Sequence, residues 1–206
     1  ALTGGLLLPS LVVAMVVTLI LGMGMPTTAA YLLAAILVAP AIQGLGVPTL
    51  AIHLFLFYFG VVSMVTPPVA LAAFAAAGIS GANLWSTGIQ AFKFSLAAFL
   101  VPYAFAYNQA LLLTGPWGEI AWVVSTTAVG VAVLAAAVVG YAYGPTRPAE
   151  RWLLLAASLL LIAPEKITDF VGMALTAGVL AVQWRRVKAT TAPVAAAQGS
   201  AEGPPR

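Results

Sequence analysis

Residues 19–35 read LILGMGMPTTAAYLLAA. Two glycines, a proline and two threonines interrupt two strongly apolar runs here, and no charged residue is near. In a water-soluble chain this would be a surface loop. In a chain as apolar as this one it reads as a backbone break at membrane depth, which is tolerated only where protein or a wet cavity satisfies the freed N–H and C=O groups.

The composition supplies that context. Of 206 residues 63% are hydrophobic and only 6% charged, with a mean hydropathy of +1.08. Soluble domains carry about 25% charged residues, and residues 1–92 contain no Asp, Glu, Lys or Arg. The fold class is therefore an all-α integral membrane protein. A net charge of +3 does not make it a nucleic-acid binder. Its basic residues form no single surface: Lys93 stands alone, Arg147 and Arg151 sit together, and Arg185, Arg186 and Lys188 follow the last apolar run. Such groups flank membrane spans on the cytoplasmic side. The absence of cysteine removes disulfides and thiolate metal sites. The chain begins without Met inside an apolar run, which reads as the C-terminal portion of a longer polypeptide rather than as a signal peptide.

Outward from the break, residues 5–21 form a helix short for a hydrocarbon core of about 30 Å. Pro26 suits the first position of a new helix over 27–42, which stops at Gly44, Gly46 and Pro48. Together, 5–42 read as a re-entrant helical hairpin with Gly22–Thr28 at its tip. A further helix over 49–64 reaches Thr66-Pro67-Pro68 and resumes as VALAAFAAAG. The proline pair removes two donors, so 49–78 read as a discontinuous helix. Residues 1–78 form one unit, 79–90 an interfacial connector with Trp85 at headgroup level, and 91–184 the C-terminal transmembrane helices. Those helices are 91–113, 120–143, and a pair over 152–163 and 167–184 that turns at Pro164-Glu165-Lys166, the first of the pair short for a crossing. A basic, disordered cytoplasmic tail takes 185–206. Alternation of the charged turns places Lys93 and the arginines inside and Glu119, Glu165 and Asp169 outside.

Paired Gly/Pro-interrupted segments are the sequence pointer to a transporter site. Gly22, Met23 and Gly24 offer backbone carbonyls, and Thr66 a hydroxyl, to a dehydrated Na⁺. Thr27, Thr28, Ser63 and Pro67 line the adjoining substrate space, where helix N-termini favour an anion. His53 reads as an interhelical hydrogen bond, Lys93 as a snorkelling anchor, and Asn108 and Gln109 as helix glue. Glu165, Lys166 and Asp169 read as a solvated outer charge group. The aromatic run HLFLFYF reads as lipid-facing or packed surface. With one histidine, no cysteine and no carboxylate before Glu119, no nucleophile–base pair can be assembled, so the chain is not an enzyme.

GMGMPTTAAY, APAIQGLGVPTLAIHLFLFYF and VTPPVALAAFAAAGI resemble the C-terminal half of the large permease subunit of tripartite ATP-independent periplasmic (TRAP) transporters. ERWLLLAASLLLIAPEKITDFVG further resembles the fused-permease branch, which works with a TAXI-type binding protein. The resemblance implies an elevator-type secondary transporter in the cytoplasmic (inner) membrane, its C-terminus cytoplasmic. It also implies uptake of an organic anion from a periplasmic solute-binding protein, a Na⁺ gradient (or H⁺) as coupling ion, and no cofactor. An inverted partner hairpin elsewhere in the permease would complete the site. Pro26 stands where dicarboxylate-type members usually carry an acidic residue. The alternatives are another ion-coupled transporter or channel with broken helices, and a structural membrane subunit.

Overall fold

The computed structural model describes residues 6–163 and 166–199, with side chains as far as Lys188. Its regular elements among these residues are all helices, apart from an isolated antiparallel bridge between Tyr141 and Pro145. In order, the helices are α1 (Leu7–Gly22), α2 (Thr27–Leu37), α3 (Ala39–Gln43), α4 (Thr49–Val62), α5 (Leu71–Ser80), α6 (Leu84–Ser95), α7 (Val101–Tyr107), α8 (Trp117–Val139), α9 (Pro148–Ile162) and α10 (Lys166–Gly199). Short 3-10 turns over Ser63–Val65, Leu96–Leu100 and Gln109–Leu112 link several of them.

Proline sets many of the boundaries. Pro26, Pro48 and Pro116 each sit immediately before a helix, with ψ of 145°, 141° and 137°. Having no N–H, a proline cannot extend the helix backward, yet its carbonyl can accept the first helical bond. Pro26 does so from Ala30 N–H at 3.1 Å, so it lies one position before the helix rather than in its first turn. The helix expected over 27–42 is split. It stops at Leu37 and restarts as α3 with Pro40 in the first turn, because Pro40 cannot donate to the preceding turn. The connector expected over 79–90 also differs, since Asn83 accepts from Ser86 N–H at 3.0 Å and α6 begins at Leu84.

Two apolar cores organise the chain. The first joins α1, α2, α3, α4 and α7 around Phe55 and Phe59, both fully buried. Their rings meet edge to face at 4.8 Å, and Tyr103 packs on both at 5.3 and 6.1 Å. HLFLFYF is thus mostly interior packing, with Phe57 on the exposed side. The second core is a three-helix bundle in which α9 lies between α8 and α10, around Ala137, Leu154, Ala157 and Leu161.

By length and composition three stretches among the described residues could cross a membrane: Leu84–Tyr107, Trp117–Val139 and Lys166–Lys188. The first starts and ends earlier than the 91–113 read from the sequence, because Asn108 is extended and breaks the helix. α9 has 15 residues, about 22 Å, short of a full crossing. The helical backbone of α10 continues to Gly199. Of the tail expected to be disordered, 200–206 lie outside the described residues, as do Pro164 and Glu165.

One end of the bundle is closed by Glu150. Its carboxylate accepts from Arg147 N–H and Gln183 Nε2, each at 3.0 Å, and from Arg186 at 2.9 and 3.1 Å. Arg186 also donates to Pro145 O, and Arg151 to Val138 O at the end of α8. Burial works against the Glu150 charge, but these donors and the Arg186 charge outweigh it and hold the carboxyl below its ordinary range. A carboxyl with a depressed folded value adds stability above its unfolded value and loses it as pH falls through the folded one. Glu150→Gln is therefore expected to lower stability at neutral pH by about 2 kcal/mol. The difference from the unsubstituted protein should shrink on acidification below the carboxylate range. Thermal unfolding of both proteins across that pH range measures it, and equal unfolding temperatures at neutral pH would remove the clamp.

Candidate functional site

The two breaks, about forty residues apart in sequence, meet in space. α1 and α2 lie against each other and both lie against α4. The turn between them is tight: Met23 N–H bonds Ile20 O at 3.2 Å and Met25 N–H bonds Gly22 O at 3.3 Å. Gly24 there adopts φ +76°, a left-handed conformation that L side chains disfavour.

On the other side, α4 tightens into the 3-10 turn Ser63–Val65, and Thr66 is extended. The Pro67–Pro68 bond is cis, and helix resumes only at Leu71. Thr66 N–H bonds Ser63 O at 3.2 Å, and the buried Thr66 hydroxyl donates to Val62 O at 2.8 Å. These bonds satisfy the break locally while leaving hydroxyl lone pairs available.

Ser63 makes the join. Its buried hydroxyl lies 2.8 Å from Gly60 O and 3.2 Å from Gly22 O, bridging the broken helix to the hairpin tip. Nothing larger than glycine fits at 22: an added Cβ would stand 2.8 Å from Ser63 Cβ and closer still to its hydroxyl. Thr27 donates to Met64 Sδ at 3.2 Å, and Gly24 faces Val69. Gly22, Gly24, Thr27, Ser63 and, through the Ser63 turn, Thr66 are therefore gathered in one region. Met23 and Pro67 lie beside it half-buried, and Thr28 is exposed on the outer side. His53 Nδ1 and the Tyr31 hydroxyl are 3.0 Å apart, an interhelical hydrogen bond between α4 and α2.

Two residues escape the reading of the sequence. Thr18 is fully buried and its hydroxyl has no partner among the described residues. It lies four residues before Gly22, hence on the same face of α1, which is the signal that points to it. Asp169, expected in a solvated outer group, is 4% exposed. It sits in the first turn of α10 and accepts from the Trp122 indole N–H at 2.8 Å.

A tightly turned hairpin docked on an interrupted helix, in a chain with several membrane-length helices, defines a polytopic membrane protein built around two helix breaks. A family model described as the tripartite ATP-independent periplasmic transporter, DctM component, matches residues 2–120. That is more than half of the chain, and the chain belongs to this family: it is a permease for solute uptake, not an enzyme. No curated protein and no solved structure matches it. The matched residues take in both breaks and end at the start of α8; the bundle of α8, α9 and α10 lies beyond them. Family membership places the permease in the inner membrane as a multi-pass protein that works with a periplasmic binding protein and other subunits.

Proposed function

We propose that this chain is the C-terminal part of a Na⁺-driven TRAP permease of the fused, TAXI-associated branch. It imports a carboxylate-class organic anion by an elevator movement. α1 and α2 dip into the membrane and return as a re-entrant hairpin, and α4 with α5 forms the discontinuous helix beside it. The observation that carries the proposal is the Gly22–Ser63 join, which brings two interrupted helices to one place. Interrupted helices at one locus are how secondary transporters hold ion and substrate together.

In this reading the carbonyls of Gly22, Met23 and Gly24 and the Thr66 hydroxyl hold Na⁺, with H⁺ the alternative coupling ion. Thr27, Thr28, Ser63 and Pro67 contact the anion, for which the start of α2 supplies unpaired N–H groups and a positive dipole end. An inverted hairpin elsewhere in the permease completes the site. Orientation follows charge. Lys93 and Arg151 line one cavity, and the Glu150–Arg186 clamp lies at the same end of the bundle as Arg151, so that end faces the cytoplasm together with the C-terminus.

Thr66→Ala in the full-length permease removes one local hydrogen bond, about 1 kcal/mol, so yield should hold. The Na⁺ dependence of uptake in proteoliposomes supplied with the cognate binding protein should weaken instead. An unchanged Na⁺ response would take Thr66 out of the site. Uptake driven equally by an H⁺ gradient without Na⁺ would replace the coupling ion.

A further inference from the structure

The end of the bundle opposite the Glu150 clamp carries a different polar feature. Between the start of α8, the end of α9 and the start of α10 lies a cavity of about 40 Å³. Asn108, Trp122, Thr126, Thr127 and Asp169 line it, and the exposed residues Glu119 and Lys166 stand at its edge. Among the described residues the end of α9 and the Ala163 that follows it contribute only apolar groups to the wall, with Leu161 and Ile162 from the helix.

Asp169 is the unusual member. It is more than nine-tenths buried, and only one of its two oxygens is served: Oδ2 accepts from Trp122, whereas Oδ1 has no partner among the described residues. A buried carboxylate oxygen without a donor is costly. Among the described residues the charged groups at the cavity are Asp169 and Glu119 against Lys166, with neutral oxygens on Thr126, Thr127 and Asn108. The volume exceeds the roughly 10–15 Å³ that one water needs. A divalent ion usually recruits several carboxylates, and among the described residues Asp169 is the only buried one here.

We infer that this cavity binds a single monovalent cation of sodium size, with Asp169 Oδ1 as its anionic ligand and threonine and asparagine oxygens around it. Asp169, Trp122, Thr126 and Thr127 lie outside the family-matched residues, whereas Asn108 and Glu119 lie within them, and the site does not depend on the hairpin and broken helix. The Trp122 indole, bonded to the same carboxylate, makes it a built-in reporter: a cation on Oδ1 draws charge from Oδ2 and perturbs the indole bond.

The test is tryptophan emission of the full-length permease in nanodiscs at fixed neutral pH, as Na⁺ replaces N-methylglucamine at constant ionic strength. A saturable change is expected, absent in Trp122→Phe and absent or at least about tenfold weaker in the near-isosteric Asp169→Asn. Thr127→Val, which keeps the carboxylate, should shift the midpoint several-fold, and Thr66→Ala should leave the response in place. An unfolding temperature near that of the unsubstituted protein qualifies each variant. No Na⁺ response, a response surviving Asp169→Asn, or a response to pH alone would overturn the inference; the last would make Asp169 a proton site.

Discussion

Replacing Gly22 by alanine is expected to abolish uptake while the permease still reaches the membrane. The added methyl has no room, because Ser63 Cβ stands 2.8 Å away and Ala30 Cβ 3.4 Å away. Overpacking of this kind costs about 1–3 kcal/mol, and the clash falls on the closest join between the hairpin tip and the broken helix described above. The structure can relieve it only by moving the tip off Ser63, which also loses the hydroxyl bond to Gly22 O. The check is a double substitution. Gly22→Ala with Ser63→Gly removes both obstructing atoms and should restore uptake to the level of Ser63→Gly alone, whereas Gly22→Ala with Ser63→Ala retains the Cβ and should not. If Gly22→Ala alone transports normally, the two breaks are not coupled through this contact.

The second large effect is expected at Gly24, for a different reason. Space is not limiting there: an added Cβ would meet Val69 at 3.5 Å, an ordinary contact. Conformation is limiting, because φ is +76°. A left-handed backbone costs an L residue about 1–2 kcal/mol, and a β-branched one is a genuine outlier there. Gly24→Val should therefore reshape the tip and lower uptake by roughly tenfold or more, as each 1.4 kcal/mol is about a factor of ten. Gly24→Asn is the control, since asparagine tolerates the left-handed region and should retain far more activity. Equal uptake by both variants would mean that the tip is only a kink. Initial rates in proteoliposomes, normalised to reconstituted protein, measure both.

What could be read in the sequence was what local chemistry dictates. Glycine and proline announce both breaks, at Gly22–Pro26 and at Thr66–Pro68, because their effects need only neighbouring residues. The split at Pro40 was equally available, as proline in mid-helix removes a donor wherever it falls, but 27–42 was read as continuous. The contact between the breaks was not legible. It depends on the small size of Gly22 and Ser63 and on how α1, α2 and α4 pack, which are non-local facts.

Asp169 was misread for a physical reason. Near a turn a charge is taken as solvated, but in a span surrounded by apolar solvent the polar residues mark the interior. In α10 the buried positions include Asp169, Gly172, Thr176, Val179 and Gln183, spaced by three and four residues. That spacing is one face of a helix, and it was present in the sequence. Glu150, Leu154, Ala157, Ser158 and Leu161 form the matching face of α9.

The Gly22–Ser63 contact also bears on the order in which descendants of this permease can change. A lineage that first trades Ser63 for glycine loses its hydroxyl bonds, about 1 kcal/mol each, and the proposed anion contact, but meets no clash and can then accept alanine at 22. The opposite order passes through the clash and a non-transporting ancestor. Change at these two positions therefore has a direction, from 63 to 22, and the pair should drift through history as one unit.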